Sequence, residues 1–336
     1  FYYSQNQDWT YPGGNGGPKV DAQGKAKSFD DYFWEKCYPE VQQITTGYGP
    51  IELVWFDTPG GMDKKYAQKL VELVHKNQPG AYVSGRVGHG LGDYSTLGDM
   101  EVPRENVDGI WETVDVTNDS WGYAWYDNNW KSSQEILQRT LSTVARGGTY
   151  MLNVGPKPDG SIPDQAGLAL RNAGAWIKRY PETVYGAQAS PWKHALPWGD
   201  ATIQGDRISL LVYHWPADGT LYVPGLTKGV QSIKLRGSKE QGKLNYTLEK
   251  DWLKIDIPKI APEKMVSVNE VKLNGTPQVE KMLGVDPALE TVIPVDFGEV
   301  EGCNKDGKSW MEKFGEWKHV VQVSNWTEKS KFSYEI

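Results

Sequence analysis

Cysteine is almost missing from this 336-residue sequence: Cys37 and Cys303 stand alone and far apart. Two distant thiols give neither a disulfide framework nor a zinc cluster. A basic surplus is missing too. The 36 Lys and Arg face 43 Asp and Glu, a net charge of -7, so no basic face for nucleic acid or an anionic membrane is expected. No apolar run reaches the roughly 18 residues of a membrane span. There are five histidines, and no two have the spacing of a metal-binding HExxH pair. Gly88-His89-Gly90-Leu91-Gly92 is glycine-rich but lacks the lysine and the strand–helix setting of a phosphate loop. A GxSxG nucleophile elbow is also lacking.

What the chain does have is 15 Trp and 18 Tyr beside only 7 Phe. Trp and Tyr pair a flat apolar face with a polar tip. Sugar rings present C–H faces and hydroxyl edges, so the mix suits carbohydrate. A β-rich core uses the same residues, and composition leaves both readings open.

Phe1-Tyr2-Tyr3-Ser4 reads as a strand already under way, and the alternating run Lys331 to Ile336 stops without a turn. Both ends read as cuts in a longer protein. The first 190 residues alternate strands and helices. Ser28 and Asp31 open a helix over 28–46, which Pro39 should bend or split. Ile51 to Phe56 is a nearly continuous apolar strand, as buried parallel strands are. Asp63 caps a helix stopped by Pro79-Gly80, and Ala81 to Ser84 is a short strand. Ser132 and Glu135 form a capping box, Tyr150 to Val154 a strand, and Asp164 to Arg179 a helix.

That order predicts an α/β fold: a partial (β/α)8-like, TIM-type barrel over residues 1–192, with its chemistry at the carboxyl ends of strands. Short alternating strands between 200 and 275 predict an all-β sandwich over 193–275. Residues 276–336 read as a linker and the start of a further β-rich domain.

Asp57 closes the apolar strand, and Thr58-Pro59-Gly60-Gly61 turns the chain straight after it. A carboxylate there sits at the mouth of a parallel sheet, although Asp is also an ordinary turn residue. Arg86 follows the next strand and can pair with a carboxylate or bind hydroxyls. The loop from Gly92 to Pro103 brings Asp93, Asp99 and Glu101 into the same region, and Glu112 lies just beyond. Glycoside hydrolysis needs two carboxyl groups, one at the oxocarbenium-like centre and one protonating the leaving oxygen. The residues alone do not say which acid faces Asp57. The Asn153 to Gly160 stretch reads as a structural turn.

Taken in order, these pieces resemble the α-L-fucosidases of glycoside hydrolase family 29. The matching segments are Phe1-Tyr2-Tyr3-Ser4 with Asp8-Trp9, Tyr48-Gly49-Pro50-Ile51 with Leu53 to Asp57, Gly85-Arg86 and Gly92-Asp93-Tyr94. Trp111-Glu112-Thr113, Ser120-Trp121-Gly122-Tyr123 and Asn153-Val154-Gly155-Pro156 with Asp159-Gly160 continue the series. The agreement covers about residues 1 to 190. The resemblance implies a retaining, exo-acting hydrolase that removes terminal α-linked L-fucose from an oligosaccharide or glycoconjugate. It implies no metal or organic cofactor, and a secreted or periplasmic location.

In that resemblance Asp57 is the nucleophile and Arg86 its neighbour. Trp55 and Trp121 line the sugar pocket, and Tyr3 is an aromatic at the site. The acid/base is Glu112 in many members, and Glu112 is the residue expected here; in others it lies in the preceding loop, where this chain offers Asp99 and Glu101. The family's fucose-gripping histidines belong to strands before Phe1. A carbohydrate-binding protein without catalysis, and a barrel hydrolase for another sugar such as a galactoside, are the alternatives.

Overall fold

The computed structural model describes residues 1–237, 242–311 and 317–335. Ile336, the end of the alternating C-terminal run, lies outside the described residues, as do 312–316 of the segment expected to be β-rich. The chain forms two compact units, Phe1–Thr96 with Gly109–Glu112, and Leu97–Asp108 with Thr113–Ile336.

In the first unit, β1 (Tyr2–Ser4), β2 (Leu53–Asp57) and β3 (Tyr82–Val83) form a parallel sheet in the order β1-β2-β3. Helices α1 (Phe29–Tyr32), α2 (Tyr38–Gly47) and α3 (Lys64–Asn77) connect the strands. Ser28 and Asp31 form the expected capping box, satisfying two orphan amides at the start of α1. Between α1 and α2 the chain widens into a π-helical stretch, Phe33–Cys37, just before Pro39. A proline has no amide to give and crowds the preceding turn, and a π-bulge absorbs that defect. The expected bend is therefore a widened turn.

Val54 and Phe56 point to one face of β2 and are buried with Phe33, Val41, Ala67, Leu70 and Val74 from the helices. That is the period-two alternation of a strand with helices on one side. Asp63 is the N-cap residue of α3, but its side chain makes no capping bond. The first unit also holds β4 (Ser95–Thr96), paired in parallel with the opening of β5 (Trp111–Val116) through Ser95↔Trp111 and Thr96↔Glu112.

In the second unit, α4 (Ser133–Ala145), β6 (Thr149–Asn153) and α5 (Asp164–Arg179) lead into an all-β region. There β7 (Gly199–Gln204), β8 (Arg207–Val212), β9 (Thr220–Pro224), β10 (Val230–Leu235), β11 (Tyr246–Glu249), β12 (Trp252–Asp256) and β13 (Ser267–Leu273) make two antiparallel sheets, ordered β10-β13-β8-β7 and β11-β12-β9. Trp198, Ile208, Leu210, Leu221, Val223, Ile233, Leu253 and Ile255 fill the space between them. The opposite face of β8 and β13 carries Leu211 and Val268 against Leu137, Leu141 and Trp176 of α4 and α5. Covered on both sides, β8 is buried from Ile208 to Val212.

The C-terminal part adds β14 (Glu299–Glu301), the hairpin of β15 (Asn304–Met311) with β16 (Trp317–Ser324), and β17 (Lys331–Ser333), which pairs with β14. Among the described residues, no helix is long and apolar enough to cross a membrane.

Candidate active site

Asp57 ends β2, and the parallel register β1–β2 sets its company: Tyr2↔Trp55, Tyr3↔Phe56 and Ser4↔Asp57. Alternation sends Tyr2, Ser4, Trp55 and Asp57 to one face, and Tyr3 with Phe56 to the helix-covered face. The Tyr2 hydroxyl donates to Asp57 Oδ2 at 2.8 Å, and Arg86 Nη1 donates to Oδ1 at 3.2 Å. Each carboxylate oxygen of Asp57 thus has a donor, and its side chain keeps 19% of its surface exposed. The next residue, Thr58, has a φ of +56°, an outlier for a β-branched side chain, and its hydroxyl meets Ser4 Oγ at 2.7 Å. The chain thus leaves β2 through a strained residue held from β1.

Tyr3 is a correction. Its ring packs edge-on to Phe56 and its hydroxyl donates to Glu40 at 2.7 Å. It faces away from Asp57, and burial drives the phenol's pKa well up, with the neighbouring Cys37 next in effect. Tyr2 is the aromatic at the carboxylate.

Trp55 is buried between Tyr2, stacked at 5.7 Å, and Arg86, whose guanidinium carbon lies 5.1 Å from the ring centroid. Its indole N–H donates to Glu112 Oε1 at 2.5 Å. The same oxygen accepts from the Tyr94 hydroxyl at 3.0 Å and the Thr96 hydroxyl at 2.9 Å. Glu112 is thereby a buried acceptor for three donors. Burial raises the Tyr94 pKa strongly, and the Glu112 charge adds to it, so Tyr94 stays a donor.

Arg86 sits on a short turn, Gly85–Val87, directly after β3. A Cβ on Gly85 would lie 2.7 Å from the Tyr94 carbonyl oxygen, and one on Gly92 2.6 Å from Gly85 Cα. The glycines of Gly85-Arg86 and Gly92-Asp93-Tyr94 let these two backbones touch. Asp93 is structural: its Oδ2 accepts from the Val83 amide at 2.6 Å and faces His75 at 3.0 Å. His89 holds the Met62 carbonyl at 2.7 Å.

Asp99, Glu101 and Trp121 belong to the second unit. Glu101 Oε2 lies 3.1 Å from His319 Nε2 on β16. Asn153 donates to the Trp121 carbonyl at 2.6 Å, and a Cβ on Gly155 would lie 2.6 Å from the Gly122 carbonyl carbon. The turn after β6 therefore pins the loop that carries Trp121. Among the described residues no group of three or more His, Cys, Asp or Glu could hold a metal ion.

Asp57 thus stands at the end of a parallel strand, gripped by Arg86 and Tyr2 beside the buried Trp55. The sequence model described as Alpha-L-fucosidase matches residues 1–182. The chain belongs to the alpha-L-fucosidase family. The human plasma alpha-L-fucosidase is 26% identical over 251 residues, covering 68% of this chain and 53% of the relative. The chain thus spans about half the length of the curated relatives it matches. The alpha-L-fucosidase of Vibrio sp. strain EJY3 superposes with a TM-score of 0.74 at 22% identity, over 93% of this chain and 58% of that one. A GH29 alpha-L-fucosidase of Bacteroides thetaiotaomicron, trapped as a covalent intermediate, gives 0.66 at 20%, over 82% of this chain and 68% of that one. Those likenesses are of fold: mixed α/β followed by β-sheets.

Proposed function

We propose that this chain carries the nucleophile and the proton donor of a retaining, exo-acting α-L-fucosidase. Asp57 attacks the anomeric carbon of terminal α-L-fucose as the glycosidic bond breaks, giving a covalent fucosyl-enzyme that water then hydrolyses. The observation behind the reading is Asp57 itself, with Tyr2 and Arg86 each bonded to one of its oxygens. The pairing leaves the carboxylate held between two donors at the end of its strand. The covalent intermediate trapped in the Bacteroides relative supports the same two-step route.

Trp55 offers the sugar an apolar wall, and Trp121 is assigned to the C5 methyl group. Glu112 accepts three hydrogen bonds on one oxygen, one of them from Trp55. That arrangement suits a residue that fixes Trp55 better than one that delivers a proton. We assign the proton donor to the turn Gly98–Glu101, which carries Asp99 and Glu101. Double displacement of this kind uses no cofactor.

The architecture in this reading is part of a (β/α)8 barrel through residue 192, a β-sandwich over 193–275 and a further β-rich segment over 276–336. The substrate is a fucosylated oligosaccharide or glycoconjugate. A secreted or periplasmic location goes with it, in keeping with the plasma relative.

The test is nitrophenol release from an aryl α-L-fucoside, with the α-galactoside as control and Asp57→Asn alongside. Release from the fucoside that vanishes in the variant is expected. Sugar binding without release would instead make the chain a carbohydrate-binding protein.

A further inference from the structure

The second unit contains a buried charge cluster that the chemistry above does not use. Asp115, on β5, has no exposed side-chain surface, and Lys131 Nζ stands 3.1 Å from its Oδ1. Arg139 Nε and the Tyr150 hydroxyl both bond Oδ2, the latter at 2.7 Å. A buried carboxylate is kept only where cations and donors surround it, as here. Lys131 also donates to the Val116 carbonyl at 2.8 Å, tying the cluster to its own strand.

Arg139 reaches further. Its Nη2 donates to the carbonyl of Met100 at 2.5 Å. Met100 stands between Asp99 and Glu101 with a φ of +58°, a conformation that a side-chain-bearing residue holds only under constraint. The constraints are visible. The Met100 amide donates to the Val114 carbonyl at 2.7 Å, and the Thr113 hydroxyl donates to the Glu101 carbonyl. The strained turn is thus held from β5 and, through Arg139, from α4.

We infer that Arg139, braced by Asp115, is a positioning residue for the general acid on the turn Gly98–Glu101. This rests on the fucosidase reading. A general acid works only within hydrogen-bond reach of the leaving oxygen, and a 1 Å error costs about 100-fold. The guanidinium suits the task because its rigid fork serves Asp115 with one nitrogen and Met100 with another.

The test uses the full chain with Arg139→Ala and Arg139→Lys. Three quantities are read: kcat/KM on an aryl fucoside, kcat/KM on methyl α-L-fucoside, and hydrogen exchange at the Met100 amide. Nitrophenolate departs without a proton; methoxide does not. Arg139→Ala should lose roughly 100-fold on the methyl glycoside and only about threefold on the aryl one. Arg139→Lys should recover part of that loss, and Met100 should exchange faster in Arg139→Ala. Equal losses on both substrates, or unchanged Met100 protection, would overturn the inference. If the alanine variant does not fold, Arg139→Lys alone carries the same comparison, with a smaller selective loss on the methyl glycoside and faster Met100 exchange expected. A wild-type chain silent on both substrates would sink the fucosidase reading instead. Unchanged Met100 exchange would still remove the positioning role in that case.

Discussion

Asp57 in the first unit and Asp115 in the second are built from similar parts. Each meets an arginine and a tyrosine hydroxyl. They differ in burial and in charge. Asp57 keeps 19% of its side chain exposed and has Arg86 beside it; Asp115 is fully enclosed and has both Lys131 and Arg139. A partly open carboxylate with one cation can still face a substrate. A sealed one with two cations has become part of the scaffold. Glu112 stands between these cases, buried but served by neutral donors, Trp55, Tyr94 and Thr96. Type and pairing alone do not make a carboxylate reactive; access does.

The sharpest way to break the comparison is to neutralise each acid in turn. Asp57→Asn should lower fucoside hydrolysis by on the order of 10³-fold or more. Its unfolding free energy should shift by less than about 1 kcal/mol, as for other partly exposed ion pairs. Asp115→Asn should do the reverse, costing about 3–5 kcal/mol in urea unfolding because two cations lose their counter-charge. If both variants lose activity and keep full stability, burial is not what separates the two sites.

A smaller effect is expected at Glu112. Glu112→Leu strands three donors, at about 1–3 kcal/mol for a buried unsatisfied group. It should raise KM more than it lowers kcat, with a shifted Trp emission as Trp55 loses its partner.

Acid stability supplies a further contrast. Burial would push the Asp8 carboxyl up, but the Lys36 ammonium and the Thr10 and Tyr11 amides outweigh it and hold it down at about 2. A depressed folded value means that the stabilisation is complete above the unfolded value near 3.8 and fades as pH falls through about 2. Asp8→Asn should flatten the stability curve across that window, measured by thermal melts at stepped pH.

The smallest effect is chemical. Burial pushes the Cys37 thiol up to about 12, whereas Cys303 is partly exposed. Iodoacetamide at pH 8 should label Cys303 in the folded chain and reach Cys37 only after denaturation, read by peptide mass mapping.

Much of the local structure was legible. The Ser28–Asp31 box, the apolar run into Asp57 and the helix Asp164–Arg179 carry their own signals, and the structure follows them. The face of β1 was not legible. Tyr2 and Tyr3 are adjacent and alike, and a one-residue choice of register reverses which of them meets the carboxylate. The hydrogen-bond partners of Glu112 were hidden too, since its donors come from residues 55, 94 and 96, and nothing in their spacing marks convergence on one oxygen. Strands β7 and β13 lack a clean alternation because neighbours cover β7 almost throughout its first four residues and β13 on both faces.

The central claim is that Asp57 is the nucleophile. The most direct measurement is intact-mass analysis after incubation with 2-fluoro-fucosyl fluoride, which forms the glycosyl-enzyme and slows its hydrolysis. The account predicts one 2-fluoro-fucosyl adduct, with loss of the anomeric fluoride, on the peptide containing Asp57, absent from Asp57→Asn. An adduct on another carboxylate, or steady hydrolysis of fucosides by a chain that never labels, would contradict it.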